Sequence, residues 1–348
     1  LEERSPEEVL LLLQQGRELA RVLTVNRTNL VIRTADREVV AELTGKMLFT
    51  SETPESRPTV GDWISVQLFD EGEFAIVHEV LPRRSVLRRK VAGQEVAYQP
   101  IAANVDTAFV LQACVNDFNL NRLDRYLVVI QDGGVEPVLL LSKIDLVETR
   151  VFDSLIDQVR QRHPDLEIIG FSSVTEDGIK VVRSRMLPEK TYCLMGSSGV
   201  GKTTLLNRLS EAELHATASV RELDGKGRHT TTRRYLSLLE SGALIIDTPG
   251  IRELGTISAE TGIKETFSDI VEIAQSCKFT DCTHLVETGC AIRAAVDEGL
   301  LDEARLSNFQ KLGRESAHHG RSLAERRDHD RDLSKLHKSI QRGNIKRR

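Results

Sequence analysis

Eight consecutive residues, Gly196-Ser197-Ser198-Gly199-Val200-Gly201-Lys202-Thr203, fit G-x-x-x-x-G-K-[ST] without a gap, directly after the apolar run Tyr192 to Met195. The pattern demands a strand, a tight glycine-rich turn and a helix in immediate succession, which commits this stretch to an α/β arrangement. Its chemistry lies mostly in the backbone. Glycines let successive N–H groups turn inward around phosphate oxygens, Lys202 sets a point charge beside the β/γ oxygens, and Thr203 offers a hydroxyl to Mg2+. The helix expected from Gly201 to Leu209 adds its positive end, and Thr204 joins the phosphate-contacting set. A chance glycine-rich turn is the bland alternative, and the strand-loop-helix context argues against it.

The choice of base is read elsewhere. Val138-Leu139-Leu140-Leu141 has the look of a buried strand and ends in Ser142-Lys143-Ile144-Asp145, close to the N/T-K-x-D pattern of GTPases. There the aspartate accepts hydrogen bonds from the guanine N1 and N2 groups, which adenine cannot offer, and the lysine stem covers the base. Asp145 and Lys143 take those roles here, with Ile144 between them. Ser142 replaces the usual asparagine or threonine and leaves open whether this position still ties to the P-loop. Taken alone, K-x-D after a strand is as well explained by a solvated turn.

Three further segments complete the set. Ala243 to Ile246 is another apolar run, ending at Asp247-Thr248-Pro249-Gly250, a D-x-x-G pattern in which Asp247 holds Mg2+ through water and the Gly250 amide senses the γ-phosphate. Between it and the P-loop, Gly227-Arg228-His229-Thr230-Thr231-Thr232 lies in a polar stretch without apolar periodicity, as a switch loop would. One of its threonines, with Thr231 preferred, is expected to coordinate Mg2+. Upstream, Phe171-Ser172-Ser173 ends the run Ile168-Ile169 and is similar to the S-A motif whose backbone meets the guanine O6. The chain order is therefore guanine motif, S-A-like motif, P-loop, switch I, switch II, a circular permutation of the ordinary P-loop GTPase order.

That order, together with G-R-H-T-T-T and D-T-P-G-I-R-E, resembles the RsgA family of small-subunit-dependent GTPases. Ile101 to Asp106 and Asn121 to Leu127 resemble it too, as does the C-terminal cysteine cluster. The resemblance runs from about Val22 to the end. It implies an OB-like β-barrel, a permuted GTPase domain and a helical zinc-binding domain, GTP hydrolysis stimulated by the small ribosomal subunit, and contact with rRNA. It also points to His229 as the residue orienting the attacking water, since Ile251 occupies the position just after D-x-x-G where many GTPases carry glutamine.

Length and composition agree with several domains: 348 residues exceed what one hydrophobic core organises, and 40% hydrophobic content is enough to bury more than one. The expected division is multidomain α/β, with an N-terminal helical extension over 1–18, a barrel over 19–88, the GTPase domain over 89–262 and a zinc domain with a basic tail over 263–348. The short alternating segments Leu30-Val31-Ile32, Val39-Val40-Ala41 and Trp63 to Val66 suggest a small β-barrel, and by pattern alone an SH3-like barrel competes with an OB fold. Pro6 to Gln15 is a helix candidate with Ser5 as N-cap. The longest apolar runs and the N-terminal charge pattern indicate neither membrane insertion nor secretion, so a cytoplasmic location and a monomer are expected.

Five cysteines is an odd count, and Cys277, Cys282 and Cys290 cluster around His284. C-x4-C-x-H-x5-C supplies three thiolates and an imidazole, which suits a closed tetrahedral structural Zn2+ rather than disulfides. Cys114 and Cys193 lie in apolar runs and are expected in the core. His318 and His319, lacking cysteine neighbours, are assigned to a surface or RNA-facing role.

Net charge is -5, against indiscriminate nucleic-acid binding. Two basic clusters nevertheless stand out: Arg83, Arg84, Arg88, Arg89 and Lys90, and the stretch from Leu333 to Arg348 with six Lys and Arg and no acidic residue. The expected ligands are GTP/GDP, Mg2+ and Zn2+, with Lys202, His229 and Thr231 carrying catalysis. Two other readings compete: a P-loop ATPase or kinase, and a non-enzymatic rRNA-binding protein with a regulatory or vestigial nucleotide site. Because switch II runs almost directly into the zinc domain, a γ-phosphate-dependent movement is expected to reach that domain.

Overall fold

The computed structural model describes residues 15–45, 47, 54–90, 98–210, 234–247 and 259–320. Among these, β1 (Glu18–Val25), β2 (Leu30–Arg33), β3 (Glu38–Leu43), β4 (Trp63–Phe69) and β5 (Phe74–Val80) close a barrel in the order β1-β2-β3-β5-β4. Alternate side chains fill it, with Ala20 and Val22, Leu30 and Ile32, Ile64 and Val66, and Ala75 and Val77 all in one cluster. β3 runs parallel to β5, whereas the other barrel pairs are antiparallel. That crossover is the OB arrangement, which alternation alone leaves undecided. The helix expected from Pro6 falls outside the described residues as far as position 14, and Gln15 and Gly16 form a turn into β1.

A hairpin of β6 (Val86–Lys90) and β7 (Tyr98–Ala103) leads to β8 (Thr107–Ala113), the middle of a six-stranded sheet ordered β10-β9-β8-β11-β13-β12. In it, β9 (Glu136–Ser142), β10 (Glu167–Phe171), β11 (Thr191–Gly196) and β13 (Leu244–Asp247) are parallel to β8, and β12 (Tyr235–Leu238) is an antiparallel edge. β8 is buried along its whole length, as a strand covered on both faces must be. Its alternation divides the core: Ala108 and Val110 pack with Leu123, Leu127 and Val159, while Phe109 and Leu111 pack with Ile179, Val182 and Leu205. Helices α1 (Leu120–Asp132) and α2 (Thr149–Arg162) thus cover one face, and α3 (Ile179–Arg185) and α4 (Lys202–Leu209) the other.

The barrel is seated by backbone contact. Gly61, at φ +87°, brings its Cα so near the Ala103 carbonyl that a Cβ there would lie 2.2 Å from the oxygen. Around it, Ala103 N donates to Val60 O at 2.9 Å and Asn104 Nδ2 to Gly61 O at 3.0 Å. Arg21, stacked on Trp63, reaches across to Asn104 O and Thr191 Oγ1.

The C-terminal helices α5 (Glu260–Thr266), α6 (Ser268–Ala274), α7 (Ala291–Asp297) and α8 (Glu303–Gly320) gather around Phe267, Ile270, Ile292 and Leu306, with Val128 of α1 in the same cluster. Gly262 lets α5 lie against α1, since a Cβ would stand 2.0 Å from Val128 O. Beside this contact the fully buried Asp124 of α1 receives His163 Nε2 at 2.7 Å, Asn308 Nδ2 at 2.8 Å and Arg162 at 3.2 Å, with Arg305 at 3.6 Å. Removing one member of such a set strands buried cations, so Asp124→Ala is expected to destabilise the protein by about 3 kcal/mol or more in urea unfolding. A loss below about 1 kcal/mol would contradict this account of the docking.

Candidate nucleotide site and metal centre

Because β8, β9, β10, β11 and β13 are parallel, their carboxyl ends share one edge of the sheet, and the chain reverses its direction of strand addition between β8 and β11. Ligand sites of open α/β sheets form at that position. The P-loop leaves β11 there. Gly196, Gly199 and Gly201 adopt φ of +145°, +82° and +102°, conformations that side chains rarely tolerate. At Gly196 a Cβ would also stand 2.5 Å from Leu111 O. The turn brings Ser198 and Val200 round to the start of α4, where Lys202 Nζ donates to Gly196 O at 2.8 Å and Ser197 O at 2.6 Å. Thr203 and Thr204 are exposed on the first turn of that helix.

The segment after β9 sits alongside. Ser142 is buried, and its hydroxyl donates to Val200 O at 2.7 Å. The serine therefore makes the tie to the P-loop that its departure from asparagine left open, because the acceptor is a backbone carbonyl that a short hydroxyl reaches. Lys143 follows at φ +61°, and Ile144–Leu146 form one 3-10 turn on which Asp145 is exposed. Burial pushes the Cys114 thiol up to about 11, with the Asp145 carboxylate adding to the shift, so a neutral thiol borders this turn.

Ser172, at the end of β10, is fully buried and its Oγ accepts from Val174 N and Thr175 N, both at 3.1 Å. Ser173 O accepts from Arg208 Nε of α4 at 3.2 Å, which fastens the S-A-like loop to the P-loop helix. Asp247 ends β13 beside Leu194 and is buried. Burial holds its carboxyl above the ordinary carboxylate range, against the pull of Lys202. Ser142 to Asp145, Ser172, Ser173, Gly196 to Thr204 and Asp247 are thus borne by the same edge of one sheet. His229, Thr230, Thr231, Thr232, Gly250 and Ile251 lie outside the described residues, as does the basic tail from Leu333.

Sequence reasoning missed Asp117. This loop residue between β8 and α1 accepts from Ser197 Oγ at 2.5 Å and pairs with Arg122 at 2.7 Å. No motif marks it.

In the C-terminal unit, the ligand atoms of Cys277, Cys282, His284 and Cys290 lie within 4.8 Å of one another. Cys277 Sγ is 4.0 Å from Cys290 Sγ and 3.7 Å from His284 Nδ1, and Cys290 Sγ is 3.5 Å from the same nitrogen. A tetrahedral Zn2+ with sulfur and nitrogen ligands needs edges of about 3.6–3.8 Å, so the donor set fits that ion. His284 takes φ +59° to turn inward, and Cys290 caps α7 by accepting from Arg293 N. Glu287 accepts from Thr283 N, Leu285 N and Val286 N, which fixes the loop around the histidine. His318 and His319 lie on α8, and their side chains are outside the described set.

The basic cluster after the barrel divides. Arg83 is occupied by the buried Asp62, at 2.7 Å, and by the carbonyls of Glu55 and Arg57, so it serves the barrel rather than an outside partner. Arg84 lies 3.6 Å from Asp106. Arg88 and Arg89 are exposed on β6.

A five-stranded barrel, a P-loop sheet whose guanine-type motif precedes the P-loop, and a Cys3His cluster define a circularly permuted P-loop GTPase. The sequence model of the RsgA GTPase family matches residues 80–257. The small ribosomal subunit biogenesis GTPase RsgA 2 of Vibrio parahaemolyticus is 42% identical over 289 residues, covering 83% of this chain and 79% of that protein. The small ribosomal subunit biogenesis GTPase RsgA of Opitutus terrae is 39% identical over 314 residues, 87% of this chain and 85% of that one. The chain belongs to the RsgA GTPase family. In fold it is similar to YjeQ from Thermotoga maritima, at TM-score 0.62 and 23% identity over 85% of this chain and 97% of that one. It is likewise similar to YloQ, described as a circularly permuted GTPase, at TM-score 0.59 and 23% identity over 90% and 96%. Membership makes the protein a GTPase and implies GTP/GDP and Mg2+, and the Cys3His cluster is compatible with zinc.

Two outcomes follow from the geometry. Since burial raises Asp247, its ionised form is less favoured in the folded protein than in the unfolded chain, and its stabilising contribution is present at low pH and lost as pH rises through the folded value. Asp247→Asn is therefore expected to raise the melting temperature of the nucleotide-free protein at neutral pH, by a margin that shrinks on acidification, while abolishing Mg2+-dependent GTP hydrolysis. A lower neutral-pH melting temperature in the variant contradicts the assignment. Cys277→Ser is expected to lose bound zinc in elemental analysis and to melt at lower temperature than wild type; full zinc retention would remove Cys277 from the ligand set.

Proposed function

We propose that this protein hydrolyses GTP on the small ribosomal subunit as that subunit matures, docking on rRNA with GTP bound and leaving after hydrolysis. The observation that carries the reading is the convergence of Ser142 to Asp145, Ser172-Ser173, the P-loop and Asp247 at one sheet edge, in a chain whose relatives are named for small-subunit biogenesis. Asp145 would accept from the guanine edge, with Lys143 and Ile144 flanking it, and the loop of Ser172 and Ser173 would meet O6. Lys202 and the amides of Gly196 to Thr203 would hold the phosphates, assisted by Thr204.

Thr203, Asp247 and, from switch I, Thr231 are the residues for Mg2+, which when bound supplies charge neutralisation at the β/γ oxygens. Gly250 would sense the γ-phosphate. His229 is assigned to orienting the attacking water, because Ile251 offers no side-chain hydrogen bond where glutamine commonly stands. Arg88, Arg89 and the tail from Leu333 are the segments for rRNA phosphates. The working division remains 1–18, 19–88, 89–262 and 263–348, in a cytoplasmic monomer.

The test is GTP turnover by wild type and His229→Ala, each with and without purified small subunits. Stimulation of the wild type by subunits, and a stimulated kcat about 10²-fold lower in the variant with little change in nucleotide affinity, is the expected result. Equal stimulation of both proteins would remove His229 from the chemistry, and no stimulation of either would overturn the ribosomal assignment.

A further inference from the structure

The β8–α1 loop bears no recognised motif, yet it is held from every side. Gln112, fully buried at the end of β8, accepts from Asn119 N at 2.9 Å and donates to Asn119 O at 3.1 Å. Asn119 in turn caps α1 by accepting from Arg122 N at 2.8 Å. Between these clamps Asn116 takes φ +58°, a conformation unusual outside glycine. The outcome of this local expense is to place Asp117, mostly covered, against the second residue of the P-loop.

Asp117 is committed at both oxygens. Oδ1 accepts from Ser197 Oγ at 2.5 Å and lies 2.7 Å from Arg122, and Oδ2 accepts from Ala113 N at 3.3 Å. Arg122 also donates to the Asp117 carbonyl. A carboxylate next to a polyphosphate site would by itself repel the ligand. Paired with Arg122, it presents hydrogen-bonding capacity with its charge compensated.

Ser197 therefore has two anchors: its hydroxyl is held by Asp117 and its carbonyl by Lys202. The second is shared when nucleotide is present, because a P-loop lysine also reaches the β/γ oxygens. We infer that Asp117 is a positioning residue for nucleotide binding: through Ser197 it keeps the first turn of the P-loop in its phosphate-ready shape, alongside the contact of Lys202 with the loop carbonyls. It touches no reacting atom, so it acts on affinity for GDP and GTP alike and not on the hydrolytic step. This rests on the reading of Gly196 to Thr203 as the nucleotide site.

The experiment uses the full-length protein, a fluorescent GDP analogue for Kd and steady-state GTP hydrolysis for kcat and KM, with Asp117→Ala, Asp117→Asn, Ser197→Ala and the double alanine variant. Asp117→Ala and Ser197→Ala are each expected to raise Kd and KM about tenfold with kcat within about twofold of wild type. Asp117→Asn, which keeps an acceptor at the same place, should stay within about threefold of wild type. The double variant should be no worse than the weaker-binding single variant, since both remove one bond. Wild-type Kd in Ser197→Ala, multiplied effects in the double variant, or a fall in kcat matching the fall in kcat/KM would each overturn the inference. Should Asp117→Ala fail to fold, as judged by its thermal melt, Ser197→Ala alone decides, because it leaves the loop and Arg122 intact. Failure of wild type to bind the GDP analogue would instead refute the nucleotide site itself.

Discussion

One carboxylate with no exposed surface, Asp124, governs how the parts of this protein can move. A buried charge is tolerated only where its oxygens are filled by good donors, and here Oδ1 faces His163 and Oδ2 faces Asn308 and Arg162. Those donors come from the C-terminal end of α2 and from α8, so a side chain of α1 joins the covering layer of the sheet to the C-terminal unit. Arg305 adds to the set while pairing with Asp269 and stacking on Phe267, deep in the C-terminal core. Arg125 and Glu315 extend the same contact outward at 2.6 Å. Rotating the C-terminal unit away from α1 would leave cations and a carboxylate buried without partners. Separating the two bodies therefore carries that cost.

The barrel is joined by different means and at a different place. Its contact with the sheet domain uses Gly61 and backbone carbonyls near Ala103, supported by Arg21. Burial lowers the Arg21 guanidinium to about 10, with Arg84 adding to the effect and Asp62 and Asp106 opposing it, as suits a cation wedged between two domains. One further bond reaches the edge strand: Thr24 Oγ1 donates to Arg234 O at 2.8 Å. Arg234 directly precedes β12, at the end of the segment proposed as switch I. The barrel thus grips one end of that segment, while the P-loop helix α4 lies at the other.

What was legible in the sequence was whatever is local in the chain. The octapeptide at 196–203, the run ending at Asp247 and the C-x4-C-x-H-x5-C spacing each carry their geometry within a few residues, and the structure brings each together. Alternation along Leu30 to Ile32 and Trp63 to Val66 announced a barrel. It could not distinguish OB from SH3-like pairing, because strand order is a long-range property and the parallel contact of β3 with β5 settles it. The tie from Ser142 to Val200 was hidden because its acceptor is a main-chain oxygen, present whatever residue is there. Asp117 and Asp124 were hidden for the opposite reason. They are ordinary loop and helix acids whose meaning lies in partners far along the chain, 80 residues away for Ser197 and 184 for Asn308. Arg83 misled by company, being one of a run of basic residues yet the one consumed by a buried aspartate.

Permutation gains a sharper meaning from these contacts. In the motif order of this chain the polypeptide after Asp247 passes through 248–258 and arrives at α5, and both ends of that segment are anchored. Asp247 belongs to the sheet, paired with Leu194 and Tyr235. At the far end Ala259 N donates to Ser316 Oγ of α8 at 3.0 Å, and Gly262 rests on α1. These anchors limit what can pass from the sheet edge to the C-terminal unit. Swinging the C-terminal unit would require Asp124 to give up its partners and Gly262 to leave α1. A movement of that unit on a change of nucleotide would therefore have to offset the loss of the Asp124 contacts, a cost that the permuted chain order alone does not remove.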